Sequence, residues 1–296
     1  MEDLLLITNS AAGTNEQDAV DAALEVLRVG TRVDVAETSE PEELDEVLAD
    51  LGARSVVVAG GDGSLHAVVN ALWRHELLAG TRLGLVPLGT GNDFARGVDI
   101  PLDPADAAAV IMAGSTRRID LIVDDAGLVV VNNVHLGVGA QASREAKAWK
   151  SRLGRFGYVV GAIKAAAKPD FIRVQVVVDG EPLLRRQRVV QVAIGNGSTV
   201  GGGTELIPDA DPTDGELTVI VSHAVRALSR LVYMARLKGA SHHLMKEVVR
   251  ADGHHVEVEG DDFYVTADGE LSGPHRRRTW DLREGAVEMW LPGAAS

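Results

Sequence analysis

The stretch VVVAGGDGSLHAVVNAL, residues 56–72, opens as an apolar β-branched run, turns on three glycines around Asp62, and continues with apolar residues at helical spacing. Strand, glycine-rich turn and helix in that order make one step of a parallel sheet covered by helices. Glycines at such a turn let backbone N–H groups approach an anion, and the helix N-terminus adds the positive end of its dipole. The same glycines also suit a plain tight turn, so this loop alone leaves both readings open. It is neither G-x-G-x-x-G nor a Walker A sequence, because no Gly-Lys-Ser/Thr follows.

Working outward, the rhythm repeats. Strand-like DLLLIT (3–8) and RVDVAET (32–38) alternate with helical patterns at 16–30 and 40–52, and RLGLVPLG (82–89) follows the helix after Asp62. A further helix is expected over 104–114. From about residue 118 β-runs dominate: 118–125, 128–137, 171–180, 187–197, 215–222, 254–260 and 262–270, interrupted by helical patterns at 142–168 and 226–243. The expected fold class is α/β: a first domain of parallel sheet covered by helices, with ligands expected at the carboxyl ends of its strands, followed by a mainly β second domain.

Composition narrows the function classes. The chain has 296 residues, 46% hydrophobic, with no cysteine, which excludes disulfides and thiolate metal sites. Its N-terminus is acidic where a signal peptide needs basic residues, and no window approaches a membrane span, so a cytoplasmic protein is expected. Net charge is -14, concentrated in residues 1–130, where 8 Lys+Arg face 23 Asp+Glu. Nucleic acid is therefore a poor partner. The stretch from Arg144 to Arg188 reverses the balance, with 11 basic residues against four acidic ones. It suits either an anionic surface or a solvated face.

PLGTGNDFAR (87–96) repeats the glycine-turn logic one strand later: Gly89 and Gly91 free the backbone, Thr90 and Asn92 offer hydrogen bonds, and Asp93 adds a carboxylate. If the two preceding strands are neighbours, Asp62 and Asp93 face one cleft, where paired carboxylates suit Mg2+ beside a polyphosphate. The competing expectation is that each aspartate caps its own helix. TADGELSG (266–273) adds Asp268 and Glu270, which point the same way if both lie on one strand. An Asp-Gly turn is the alternative. The pairs His242/His243 and His254/His255, and HRRR (275–278), are read as surface, cap and solvated-loop features.

GGDGS followed by PLGTGNDFAR, with TNSAAG (8–13), IGNGSTVGGGTELIPDADPTDGELTV (194–219) and ADGE (267–270), resembles the catalytic domain of the diacylglycerol kinase and sphingosine kinase superfamily, particularly its bacterial soluble lipid kinases. The resemblance implies a Rossmann-like three-layer nucleotide domain over 1–125, to which 285–296 can return, and a sandwich-like lipid-substrate domain over 126–284, with the active site in the cleft between them. The enzyme would use ATP and Mg2+ to phosphorylate a lipid hydroxyl, most simply diacylglycerol to phosphatidic acid. It places Asn9, Ser10, Ala11, Ala12 and Gly13, Thr38, the loop Gly60, Gly61, Asp62, Gly63, Ser64, Leu65, His66 and Ala67, and the loop Gly89, Thr90, Gly91 and Asn92 at the nucleotide. It makes Glu270 the general base, and Asp268 a partner of Asp62 and Asp93. DADPTDGEL (209–217) resembles a structural metal segment, with Asp214 as a carboxylate ligand and carbonyls of Asp211 and Glu216 beside it; an ordinary Asp-Gly turn between strands is the competing account. Ser10, His66 and Ala67 depart from the common family residues proline, asparagine and glutamate. The partners implied are a lipid and, transiently, the membrane surface, with homodimerisation left open. Trp149, Leu153, Phe156, Tyr158, Val159, Val160 and Ile163 amid basic residues suit an interfacial helix, an acyl-cleft wall or an ordinary amphipathic helix packed on the second domain. A nucleotide kinase resembling NAD kinases, which share GGDG, and a catalytically silent lipid-binding scaffold are the other readings.

Overall fold

The computed structural model describes residues 2–9, 14–137, 140 and 171–293. Strands β1 (Leu4–Asn9), β2 (Val33–Thr38), β3 (Ser55–Gly60) and β4 (Arg82–Pro87) pair in parallel in the order β2-β1-β3-β4. Helices α1 (Thr14–Leu27), α2 (Pro41–Ala49) and α3 (Asp62–Arg74) join them, and α4 (Asp93–Gly97) and α5 (Pro104–Ala113) follow β4. Alternate residues of β1 serve opposite faces. Leu4 and Leu6 pack with Val20, Leu24 and Leu27 of α1 and Ile111 of α5, whereas Leu5 and Ile7 pack with Leu44 and Leu48 of α2 and Val68 and Leu72 of α3. Burial on both faces is why β1, β3 and β4 read as continuous apolar runs, whereas the edge strand β2 alternates.

The remaining strands are β5 (Thr116–Asp124), β6 (Val129–Val130), β7 (Asn133–Gly137), β8 (Ile172–Val178), β9 (Glu181–Val189), β10 (Gln191–Gly195), β11 (Thr199–Val200), β12 (Thr204–Glu205), β13 (Leu217–Ser222), β14 (Val248–Gly253), β15 (His255–Ala267) and β16 (Glu270–Trp290). Helix α6 (Ala227–Leu237) lies between β13 and β14. Inward-facing Val134, Leu136, Val174, Val176, Val192, Ile194, Val219, Val258, Phe263 and Trp280 form a second core. The 21 residues of β16 pair with β15, then antiparallel with β5, and finish parallel to β4 at Glu288 and Met289. One strand thus ties the β-rich half to the parallel sheet.

Several strand expectations change. The run 187–197 splits at Val190 into two strands, and 254–260 and 262–270 merge into β15 across a register shift at Glu259–Phe263. HRRR is not a solvated loop: it lies on β16, where Arg276 pairs with Asp262 at 2.6 Å, Arg277 with Glu257 at 3.0 Å, and Arg278 with Asp124. These acids lie far away in the chain, so no local pattern announces the strand. His242 is wholly buried and donates its Nε2–H to Leu206 O at 2.8 Å, rather than lying on the surface. Of the expected loop 9–13, Asn9 is the last residue of β1, while 10–13 and the expected helix over 142–168 fall outside the described residues.

Candidate active site

The two glycine loops leave neighbouring parallel strands and touch. Leu88 N–H donates to Gly60 O at 3.0 Å, prolonging the β3–β4 ladder past its ends. Beyond that point a Cβ on Gly89 would lie 2.6 Å from the Gly61 Cα, so only glycine on both sides permits the approach. Asn92 holds the second loop in shape with φ 51° and an Nδ2 bond to Gly89 O at 2.8 Å. Asparagine tolerates this left-handed conformation better than most residues.

Asp62 and Asp93 serve as caps, though for segments other than their own. The Asp62 carboxylate accepts the N–H groups of Asp93 and Phe94, both at 3.0 Å, and so caps α4 rather than α3. The Asp93 carboxylate accepts Gly202 N–H at 2.9 Å and Gly203 N–H at 2.8 Å, while Thr199 Oγ1 donates to Asp93 O at 2.7 Å. Gly202 and Gly203 take φ of 89° and 99°, which aims successive N–H groups at one carboxylate. A Cβ on Gly91 would lie 3.2 Å from Asp62 Oδ2 and 3.4 Å from Asp93 Oδ2, so both carboxylates converge there. Burial, then the Asp62 charge, pushes the Asp93 carboxyl above its usual range against the pull of its glycine N–H bonds.

A cavity of about 540 Å³ opens at the carboxyl ends of β1, β2 and β3, lined by Asn9, Thr38, Gly61, Gly63, Ser64, His66 and Ala67 among others. This is where ligands bind in parallel α/β sheets. Gly89, Thr90 and Asn92 line a neighbouring cavity of about 390 Å³ with Arg96 and residues of α1. Leu65 does not face either cavity: it is 2% exposed and packs in the core. A Cβ on Gly60 would meet Ser64 Oγ at 2.4 Å, which makes that glycine a packing requirement.

Asp268 and Glu270 do not share a strand face. Asp268 and Gly269, with φ of 46° and 92°, form the two-residue turn between Ala267 and its partner Glu270. Asp-Gly is the favoured sequence for such a turn. The Asp268 carboxylate is 3% exposed and accepts Val131 N–H at 2.7 Å, Asn132 N–H at 3.0 Å and Asn133 N–H at 3.1 Å. His66 Nδ1 lies 3.1 Å from its Oδ2. Asp268 is therefore saturated by backbone and His66 rather than joined to Asp62 and Asp93. Glu270 is exposed at the first position of β16. Asn70, absent from the sequence reading, bonds Val129 through both its Oδ1 and Nδ2, tying α3 to β6. A lone asparagine among Val68, Val69, Ala71 and Leu72 was the available signal.

The 211–216 segment gathers a second acidic group that includes Asp120, also unforeseen. Asp120 accepts Gly215 N–H at 2.8 Å and Gly285 N–H at 2.7 Å. Burial raises its carboxyl, and the Glu284 and Asp211 charges add to the effect against those two bonds. Asp214 is likewise raised by burial, then by Asp211, Asp120 and Glu216. The donors are all oxygen, as a hard cation requires. Among the described residues no three carboxylate or imidazole side chains converge as a metal group, so carbonyl oxygens would have to complete a ligand set.

Comparison with known proteins matches residues 3–123 to the diacylglycerol kinase catalytic domain and residues 132–290 to the YegS C-terminal NAD kinase beta sandwich-like domain. A protein of Stenotrophomonas maltophilia named "Probable lipid kinase YegS-like" is 33% identical over 301 residues, covering 97% of this chain and 95% of its own. A Xanthomonas oryzae protein of the same name is 34% identical over 230 residues, covering 74% and 73%. The fold is that of a crystal structure of a diacylglycerol kinase from Bacillus anthracis, at a TM-score of 0.76 and 19% identity, covering 100% of this chain and 98% of that one. Both halves being accounted for, the chain belongs to the YegS and diacylglycerol kinase family of lipid kinases.

Proposed function

We propose that the protein transfers the γ-phosphoryl group of ATP to a lipid hydroxyl, with diacylglycerol converted to phosphatidic acid. The observation that carries this reading is the contact between the Gly61 and Gly89 loops, with the Asp62 and Asp93 carboxylates converging at Gly91 beside the cavity. Backbone N–H groups of Gly61, Gly63 and Ser64 at the α3 N-terminus bind the phosphates. Asn9 and Thr38 lie at the ends of β1 and β2 to contact the nucleoside. Mg2+ held by Asp62 and Asp93 would neutralise charge building on the transferred group. The raised Asp93 carboxyl fits that role, because a bound cation would offset the burial that chiefly raises it and the Asp62 charge that adds to it. Glu270 accepts the proton of the lipid hydroxyl, and Asp268 positions it by fixing the hairpin. A second cation at Asp214, with carbonyls of Asp211 and Glu216, would hold the turn that Asp120 grips. The protein works in the cytoplasm and meets its substrate at a membrane surface; among the described residues no helix is long and apolar enough to cross a bilayer.

The test is incubation with labelled ATP, Mg2+ and a panel of diacylglycerol, monoacylglycerol, sphingosine, ceramide and NAD. Label is expected in diacylglycerol. Label in NAD alone would overturn the lipid reading, and label nowhere would favour a silent scaffold.

A further inference from the structure

Helix α6 carries two apolar stripes. Tyr233, with Met234, faces inward onto Val190, Ala224 and Met245. The outward stripe, Leu228, Leu231, Val232 and Ala235, follows i, i+3, i+4, i+7 spacing and is also apolar. Leu228 and Leu231 are 75% and 67% exposed, and Leu244 on the next turn is 70% exposed. A helix that met only water on that side would be polar there. Around the stripe Arg226, Arg236, Lys238 and Lys246 are exposed, and none forms an ion pair among the described residues. No Asp or Glu occurs between Glu216 and Glu247, although the chain holds 43.

We propose that the outer face of α6 and the Leu244 turn docks on an anionic lipid bilayer, with the leucines in the interface and the arginines and lysines among acidic headgroups. The proposal deepens the lipid-kinase reading and rests on it. Apolar side chains rimmed by unpaired cations are the composition that binds such surfaces. A second copy fits worse: a two-fold contact through this face would bring two all-basic rims together. The position is also apt. Tyr233 OH donates to the Gln191 side chain, Gln191 pairs with Gly137 at one end of β7, and the other end, Asn133, holds Asp268. Four steps of strand separate these ends, roughly 13 Å.

The test uses the purified full chain with phosphatidylcholine vesicles, with and without phosphatidylglycerol, read by sedimentation. The wild type is expected to pellet with phosphatidylglycerol vesicles and to be released by high salt. The double variants L228Q/L231Q and R226Q/R236Q are each expected to lower partitioning about tenfold or more. Their melting temperatures, and turnover of a short-chain diacylglycerol dissolved as monomer, should match wild type. Equal pelleting of wild type and both variants, or no pelleting of wild type, overturns the proposal. So does a wild-type dimer that L228Q/L231Q dissociates, which would assign the face to a second copy. Lost pelleting in the variants with no lipid turnover by any protein would keep the docking face and reject the kinase reaction instead.

Discussion

Asp268→Asn separates a positioning carboxylate from a catalytic one. Asparagine tolerates the φ of 46° at this turn, so the hairpin backbone can persist. The side chain then has one oxygen where the aspartate has two. With that oxygen kept at Asn132 and Asn133, the new amide group faces Val131 N–H and His66 Nδ1. His66 can change tautomer and accept; Val131 N–H cannot. One buried N–H left without an acceptor costs about 1–3 kcal/mol, and weakening of the two charge-assisted bonds brings the total to about 2–4 kcal/mol. Glu270→Gln, at an exposed position, should stay within about 0.5 kcal/mol of wild type. Its transfer rate should fall about 10²–10⁴-fold while ATP affinity is unchanged. Urea denaturation at constant m-value reads the stabilities, and labelled-phosphate transfer reads the rates. An Asp268→Asn protein as stable as wild type would refute the saturation argument, and near-normal turnover in Glu270→Gln would remove that residue from the chemistry.

Burial pushes the His135 imidazole from 6.5 down to about 4. Between these values the folded state holds fewer protons than the unfolded chain, so stability falls as pH falls, by roughly 3 kcal/mol at pH 4. His135→Gln should flatten that loss, measured as the difference from wild type so that the raised carboxylates common to both cancel. A Cβ on Gly63 meets nothing within 4 Å, whereas one on Gly89 strikes backbone. Gly63→Ala should therefore keep its melting temperature and lose ATP affinity in calorimetric titration, while Gly89→Ala loses both; a Gly63→Ala protein with full affinity would place the phosphates elsewhere. Mg2+ at about a hundredfold excess over its Kd should stabilise the protein by about 2.7 kcal/mol. Asp214→Asn should lower this gain in thermal melts, and an undiminished gain would make 211–216 an ordinary turn.

The parallel half was legible because its signals are local. Continuous apolar runs, helical spacing and glycine at strand ends each act within a few residues, and β1–β4 with α1–α3 follow them closely. The Asp-Gly turn at 268–269 was equally local, yet strand alternation was also admissible there, and only the Ala267–Glu270 pairing decides between them. β16 escaped because its charged residues imitate a loop until Glu257, Asp262 and Asp124 are brought opposite them.

The amino-acid sequence by itself determined the element rhythm, the two glycine loops and the family, since these rest on short-range sterics and on ordered motifs. Only the tertiary structure decided what the carboxylates hold. Asp62 caps the helix after the next strand, Asp93 grips glycines more than a hundred residues on, and Asp120 clamps Gly215 and Gly285. A buried carboxylate must find N–H donors wherever the fold places them, and spacing along the chain carries no record of that choice.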